Sequence, residues 1–404
     1  MREHISYQAA RELVIGAVTP VDTERLPLES CAGRVLAEAL TAAADVPPFD
    51  RSPYDGYAFR ASDSQAAAPD SPVTLRILEE IPAGGVSHTP VTGGTAVKIL
   101  TGAPIPTGAD AVVKWEATEF TAETVTLFRP ARSGANIVPA GEDVKAGAVL
   151  APAGSVIDPG LMGTLAAQNV AAPLVYKIPK VGIISTGSEL TEVGQPLAPG
   201  KIYDSSRYTL TVAVKELGCQ PVWLGTSGDD ADAICALIEK GLKDCDALVV
   251  TGGVSVGDYD LTPAAMELAR AEILFRGTDF KPGMACAYAA RDGKLLCGLS
   301  GNPAAALTNF YAIAAPALRK LCGRRDFLPE ELTFALKAPF PKKSPMTRLL
   351  RGRLCLSGGR VEIELSANQA NGSLSSAVGW NAIAVIPAGT GPLEAGTELK
   401  GFLL

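Results

Sequence analysis

Histidine is nearly absent: the 404 residues hold two, His4 and His88. A histidine-based metal centre or a serine–histidine–aspartate triad would have to be built from one of them, so catalysis is expected to use other groups. Cysteine is present but unpatterned. The eight, at 31, 219, 235, 245, 286, 297, 322 and 355, include no C-x-x-C pair. Neither a disulfide framework nor a zinc site is indicated, and buried reduced thiols are expected. Positive charge is in deficit, with a net charge of -7 and a pI of about 5.2. That argues against general binding to nucleic acid or an anionic membrane and leaves room for one local basic pocket. Long apolar runs are missing too, since none approaches the ~18 uncharged residues of a membrane span. The stretch MREHISYQAARELV is polar and unlike a signal peptide. A cytoplasmic protein with no membrane or nucleic-acid partner is expected.

What is there points to several folded domains. The length allows two to four, and 47% hydrophobic with 20% charged residues suffices for real cores. The 41 Gly and 30 Pro are dispersed without a period, which implies many turns. Apolar residues recur at helical spacing over 6–18, stopping before Pro20, and ESCAGRVLAEAL predicts a second helix with Glu29 and Ser30 near its start. From DVPPFDRSPYDGYAFRASD onward the texture changes to short β-branched runs between Gly and Pro, predicting a β domain over 47–140. Turns and a short helix follow up to 177. If that segment (141–177) returns to pack on the first helices (1–46), the β domain is an insertion into a helical linker domain.

Residues 178–326 have another rhythm. KVGIIST, CQPVWLGTSG and CDALVVTGG read as strands. SRYTLTVAVKELG and DDADAICALIEKG read as helices closed by Gly218 and Gly241, and another helix is expected from Pro263. AEILFRGTDF and ACAYAARDGKLLCGLS are further strands, followed by the long helix PAAALTNFYAIAAPALRKLCG. Strand then helix, repeated, predicts an open, mostly parallel sheet covered on both faces, with ligands beyond the carboxyl ends of its strands. Short strands with Gly turns over 327–404 predict a second small β domain.

Three strand ends share one design: STGSEL at 185–190, TGGVSVGDYD at 251–260 and LSGNPAAA at 299–306. Glycine lets a ligand approach the backbone, and Asn302 before Pro303 is placed to cap a helix whose free N–H groups face outward. Gly252, Gly253, Ser255, Gly301 and Asn302 are therefore candidate phosphate-binding residues, with simple turns as the alternative. Glu189, Asp229 or Asp230, Asp258 and Asp260 all follow predicted strands. Carboxylates beside phosphate suit Mg²⁺, which takes one or two of them together with phosphate oxygens. Helix capping is the alternative for Asp229 and Asp230, whereas Thr262 before Pro263 is expected to cap the next helix in place of Asp260. Lys281, followed by Pro and Gly, is placed to reach a phosphate or to be a solvated surface lysine. Arg348, Arg351 and Arg353 form either a basic strand face or a protected edge.

The stretches LPLESCAGRVLAEAL, DVPPFDRSPYDGYAFR, ILTGAPIPTGADAVVKWE, PAGEDVKAG, GIISTGSEL, GKIYDSSRYTL, TGGVSVGDYD, FKPGMACAYA and GLSGNPAAALTNFY carry a resemblance that spans the whole chain. In this order they resemble the molybdopterin molybdenumtransferases, the MoeA family that includes the E domain of gephyrin. The resemblance implies a multidomain α/β plus β architecture: a helical linker domain, an inserted β domain, an open α/β sheet domain like the molybdopterin adenylyltransferases, and a C-terminal small β barrel. It implies insertion of molybdate into adenylylated molybdopterin with Mg²⁺-dependent release of AMP. Functional residues are implied at Asp55, Thr101, Glu189, Asp229, Asp260 and Lys281, with Arg351 and Ser373 as further candidates. Glu189 and Asp260 would hold Mg²⁺ against the pyrophosphate, while Gly252, Gly253 and Ser255 line its path. A homodimer is implied, in which Asp55 and Thr101 reach the site of the other subunit, as is transient contact with the adenylyltransferase that supplies the substrate.

The chain departs from the family at two places. Many members read KPGKP where this one has Lys281-Pro-Gly-Met284, and an arginine common before the GED motif is here Val138. Either change weakens anion binding or shifts the preferred oxyanion towards tungstate, unless another cation such as Arg276 takes over. The rival readings are a molybdopterin adenylyltransferase or nucleotide pyrophosphatase, and a non-catalytic scaffold.

Overall fold

The computed structural model describes residues 2–254 and 261–404. Its contacts divide the chain into two units, one of Met1–Glu38, Ala153–Met162 and Ala172–Leu404, the other of Ala39–Pro152 and Gly163–Ala171.

In the first unit a seven-stranded sheet runs in the spatial order Glu3–Ile5, Glu272–Thr278, Cys286–Arg291, Lys294–Leu299, Ala247–Thr251, Lys180–Thr186, Gln220–Ser227. Four of its six pairings are parallel, and the two antiparallel ones flank Cys286–Arg291. Alternation along the strands supplies both faces. Val181, Ile183, Val249 and Leu295 join one core with the helices Tyr7–Gly16 and Ser205–Glu216, while Ile184, Leu248, Val250 and Leu296 join a second core with Ala231–Asp244 and Leu261–Leu268. Ser6 caps the first helix by accepting from the Ala9 N–H at 3.2 Å. The long helix expected from Pro303 is present as Pro303–Asn309 and Ala315–Leu321, joined without a break by a π-helical turn at Phe310–Ala314. It is apolar nearly all round, which is why it is buried within the first core.

Three expectations need correction, and one strand was not foreseen. ESCAGRVLAEAL is not a helix: after a 3₁₀ turn at Leu28–Ser30 the chain bends at Gly33 (φ 74°), and Val35 and Leu36 form β-bridges with Val156 and Val175. Leu36 N–H donates to the Ser155 carbonyl and Ala37 N–H to Leu174, so extended pairing overrides helix propensity. ACAYAARDGKLLCGLS is two strands joined at Asp292 (φ 53°) and Gly293 (φ 75°), the left-handed pair that a two-residue hairpin requires. Gly241 does not close its helix, which continues to Asp244; a Cβ there would lie 2.5 Å from Leu224 and Leu248, so the glycine lets helix and sheet close up. Glu3–Ile5, which its polar sequence hid, is an edge strand parallel to Glu272–Thr278.

Residues 331–403 of this unit form a small closed barrel in which Thr347–Ser357, Arg360–Leu365, Glu331–Leu336, Glu398–Leu403 and Ala382–Ile386 pair in a ring. Phe280–Lys281 adds alongside Thr347–Ser357 in parallel. The second unit holds a six-stranded sheet, ordered Ala111–Lys114, Gly56–Phe59, Thr95–Ile99, Val73–Ile81, Thr124–Leu127, Thr118–Phe120. Tyr57 and Phe59 pack on one side and Ala58 on the other, so the strand Gly56–Phe59 is buried throughout.

At Gly56 a Cβ would overlap the Val113 carbonyl of the adjacent strand. Gly56→Ala is expected to destabilise the second unit by about 1–3 kcal/mol, the range for overpacking. Hydrogen exchange checks this: protection should fall across 56–59, 95–99 and 111–114 and stay unchanged in the α/β sheet.

Candidate active site

Strands Lys180–Thr186, Ala247–Thr251 and Lys294–Leu299 end side by side, with Ser185 opposite Thr251 and Thr251 opposite Leu299. A cleft of about 360 Å³ opens beyond these ends. Its floor is backbone packed on backbone. Gly252 has φ 97°, and a Cβ there would overlap the carbonyl and hydroxyl of Thr186. Gly301 lies against it, with its own Cβ position 3.6 Å from the Gly252 Cα. Thr186 Oγ1 donates to the Thr251 carbonyl at 3.0 Å and Thr262 Oγ1 to the Gly252 carbonyl at 2.7 Å. Thr262 is therefore no helix cap but a buried staple on the glycine turn. The Gly252 N–H is also committed, to the Leu299 carbonyl at 2.9 Å, so the turn offers fewer free donors than its glycines suggest.

The adjacent aspartates separate cleanly. Asp230 is the N-cap of helix Ala231–Asp244, accepting from the N–H groups of Asp232 and Ala233 at 2.9 and 3.3 Å. Asp229 lines the cleft, and its Oδ2 accepts from the Ser188 N–H at 3.3 Å. Glu189 lines the same cleft and folds over Gly187 (φ 142°), where a Cβ would sit 2.5 Å from Glu189 Oε2. Gly253, Gly301 and Asn302 complete the candidates brought together here. Ser255, Asp258 and Asp260 lie outside the described residues.

Lys281 reaches the cleft from the strand added to the barrel, and among the described residues it has no ion-pair partner. Its turn is held from below. Asn309 Nδ2 donates to the Gly283 carbonyl at 2.7 Å, Tyr288 donates its hydroxyl to Asn309 Oδ1 at 2.7 Å, and Thr278 N–H donates to the Met284 carbonyl at 3.0 Å. Gly283 has φ 107°, and a Cβ there would press on the Phe280 ring at 3.0 Å and the Asn309 Cβ at 3.1 Å. Met284 lines the cleft beside this turn.

The long helix begins here, but not as sequence implies. Asn302 occupies its N-cap position without making a side-chain cap bond, and the Ala305 N–H is taken by the Asn371 carbonyl at 3.0 Å. Asn371 also lines the cleft. It was missed by sequence reasoning because nothing local shows that a barrel loop reaches an α/β sheet. Arg351 is the fully buried clamp of that loop. It donates to Ser376 Oγ at 3.0 Å and to the carbonyls of Asn368 and Ala370 at 3.4 and 3.2 Å, and burial pushes its guanidinium down to about 10. It does not line the cleft; nor does Ser373, whose carbonyl accepts from Ser376 Oγ at 2.5 Å. Arg348 bonds Ser344 Oγ at 3.0 Å and Arg353 is exposed, so the three arginines share no basic face.

In the second unit Asp55 and Thr101 meet directly. Asp55 Oδ1 accepts from the Thr101 N–H at 2.7 Å and hydroxyl at 2.8 Å. These bonds, the backbone one first, hold the exposed carboxyl below its ordinary range. Lys114 sits 3.8 Å above the ring of the neighbouring Tyr54. Val138 makes an antiparallel bridge with Arg51.

Two predictions follow from this geometry. Asp230→Ala is expected to lose about 0.5–2 kcal/mol of stability, the usual worth of a cap, while retaining activity. Asp229→Ala should do the reverse, and urea unfolding beside turnover separates the two. For Asp55 the depressed value means that its stabilising bonds are present above the unfolded carboxylate range and are lost as pH falls through the folded value. Thr101→Val should raise the Asp55 titration midpoint in carboxyl ¹³C NMR. An unmoved midpoint would assign the shift to the backbone N–H alone.

Comparison with known proteins covers the whole of this architecture. Residues 5–168 match the family described as MoeA N-terminal region (domain I and II), 182–320 the probable molybdopterin binding domain, and 333–404 the MoeA C-terminal region (domain IV). A molybdopterin molybdenumtransferase of Staphylococcus aureus (strain Mu50) is 35% identical over 98% of this chain and 94% of its own length. One from Staphylococcus epidermidis (strain ATCC 12228) is 35% identical over 100% and 96%. Among solved structures, a molybdopterin biosynthesis MoeA protein from Pyrococcus horikoshii OT3 is similar at 32% identity with a TM-score of 0.85, covering 99% of this chain and 100% of that one. With its α/β sheet, β domain and closed barrel all matched in order, the chain belongs to the MoeA family of molybdopterin molybdenumtransferases.

Proposed function

We propose that this enzyme inserts molybdate into adenylylated molybdopterin with Mg²⁺-dependent release of AMP, completing the molybdenum cofactor. The observation that carries the reading is one cleft, at the carboxyl ends of parallel strands, lined by Glu189, Asp229 and Lys281 with glycine backbone between them. Two carboxylates against one lysine leave the described lining at a net charge of -1, by 2 acids minus 1 base. A pyrophosphate and a doubly negative oxyanion in that lining require added positive charge. Hard carboxylate oxygens beside a phosphate-sized space fit Mg²⁺. Glu189 would hold it among the described residues, with Asp260, outside them, as the second carboxylate that the resemblance implies. When bound, the ion supplies Lewis-acid neutralisation of charge on the pyrophosphate.

The chain's own groups do the rest. Lys281, held by the Asn309 network, offers an ammonium to the oxyanion or the leaving phosphate. Gly252, Gly253 and Gly301 keep the floor thin enough for phosphate oxygens to approach the backbone, with Ser255 expected to extend that path. The amides of Asn302 and Asn371 give donors and acceptors that orient a polar substrate. Arg351 acts through the loop that it clamps, and Ser373 is positioned by the same loop. Homodimerisation, with Asp55 and Thr101 serving a second copy's cleft, and contact with a molybdopterin adenylyltransferase belong to the same proposal.

The test is AMP release from adenylylated molybdopterin by the purified protein with Mg²⁺, run with molybdate, with tungstate and with neither. Molybdate-dependent release is expected, and Lys281→Ala should lower kcat roughly 10²-fold, the scale for losing one oxyanion-stabilising donor. Release without oxyanion would support a pyrophosphatase instead. Release with tungstate alone would change the substrate, and none at all would overturn the reading.

A further inference from the structure

A second cavity, of about 550 Å³, lies among the residues 32–35, 176–179 and 215–221 together with Val156, Cys322 and Arg324. Two of its lining residues are thiols in contact: Cys219 Sγ and Cys322 Sγ are 3.4 Å apart. They come from distant parts of the chain. Cys219 follows the left-handed Gly218 that ends helix Ser205–Glu216, and Cys322 is the C-cap of Ala315–Leu321, before the left-handed Gly323. Both elements lead to the cleft. The strand after Cys219 ends two residues before Asp229, about 26 Å on at 3.3 Å per residue. The helix before Cys322 began at Asn302, about 28 Å back at 1.5 Å per residue. The thiol pair thus sits at the opposite end of the fold from the cleft.

The cavity wall is basic. Lys215 and Arg324 line it without an ion-pair partner among the described residues, and Arg324 Nε is buried with no hydrogen-bond partner there. Arg34 and Lys177 line it too, tied to Glu24 and Asp22, and the one acid of the wall, Glu216, accepts from the Tyr311 hydroxyl at 2.7 Å. The hydrogen bond shared with Cys219, in which either sulfur can donate, and the charge of Arg324 pull the Cys322 thiol down. Arg324 lines the same cavity and its charge acts on Cys322, which favours that sulfur as the attacking thiolate.

We propose that Cys219 and Cys322 are a reversible dithiol–disulfide site whose oxidant is an anionic low-molecular-weight disulfide of the glutathione kind, bound in this cavity. Cys322 thiolate attacks one sulfur of the ligand. The ligand's S–S bond breaks, and its far half leaves as a thiolate that takes up the proton Cys322 had lost. Cys219 then attacks Cys322 Sγ, giving its proton to the second half as that thiol departs. Two protein thiols lose two electrons, and one ligand disulfide becomes two thiols.

The experiment equilibrates the full chain in glutathione buffers of rising oxidised fraction, then quenches, denatures, alkylates and digests it for mass spectrometry. The expected product is a Cys219–Cys322 cross-linked peptide, reversed by dithiothreitol, with Cys245, Cys286 and Cys297 still alkylated. Cys219→Ser should accumulate glutathione on Cys322, and Cys322→Ser should carry none on Cys219. Lys215→Ala should slow cross-linking by glutathione disulfide several-fold but not by neutral hydroxyethyl disulfide. Glutathione on Cys235 or Cys355 without the cross-link, or a cross-link formed only in denaturant, overturns the proposal. Equal rates for Lys215→Ala and the native chain with both reagents overturn the anionic docking.

Discussion

The carbonyl of Gly283 is the point from which the cleft is hung. It takes the Asn309 amide, whose other end takes the Tyr288 hydroxyl, so one buried side chain ties the lysine turn to both the long helix and the central sheet. Each such bond contributes only about 0.5–1.5 kcal/mol net, but leaving its partner buried and unpaired costs about 1–3 kcal/mol. That asymmetry makes the link a constraint rather than a convenience. It sets where Lys281 emerges, and Gly283 follows from it, since any Cβ would push the turn off Asn309. The same helix begins at Asn302 and gives its Ala305 N–H to Asn371, so the barrel loop is registered against the sheet through one element. Arg351 holds the loop from the other side. Position in the cleft thus passes through a short chain of hydrogen bonds, the two at Asn309 neutral and buried.

Charge is handled separately from position. Neighbouring aspartates divide the labour, Asp230 saturating helix N–H groups and Asp229 turned to the cleft with a single long contact to Ser188. A carboxylate committed to two helix N–H groups has little capacity left for a ligand, while Asp229 keeps most of its lone pairs. In the second unit the opposite choice is made at Asp55, one oxygen of which is occupied twice by Thr101. That pairing holds its carboxyl below the ordinary range.

Where local patterns decide structure, the sequence was legible. Short apolar runs such as Lys180–Thr186 became strands, helical spacing after Ser6 became the first helix, and the glycine turns after three strands did converge on one cleft. The failures have a common cause. Leu36 and Ala37 pair with Ser155 and Leu174, Gly241 is a packing glycine against Leu224 and Leu248, and Thr262 staples the Gly252 turn; each is decided by a distant partner. For the site, Glu189, Asp229 and Lys281 could be named because chemistry constrains residue type at a strand end. Asn309 and Asn371 could not, because an amide in an apolar helix or a barrel loop carries no mark of what it will touch. The choice between Asp229 and Asp230 needed geometry, since either can begin a helix.

The departure at Met284 bears on how the cleft can work. Met284 lines it, and its backbone carbonyl accepts from Thr278, so the turn keeps its form whatever side chain stands there. Loss of a second lysine at this point therefore changes charge without changing shape. With the described lining at a net -1, the proposed reaction calls for a cation to bring the oxyanion and the phosphates together there. Under the proposed function, binding of Mg²⁺ and the oxyanion would be linked, each strengthening the other by the same factor. Such a site would bind oxyanion poorly in the absence of the nucleotide-bearing substrate. Order of binding, rather than the tightness of any one contact, becomes the property most sensitive to this substitution.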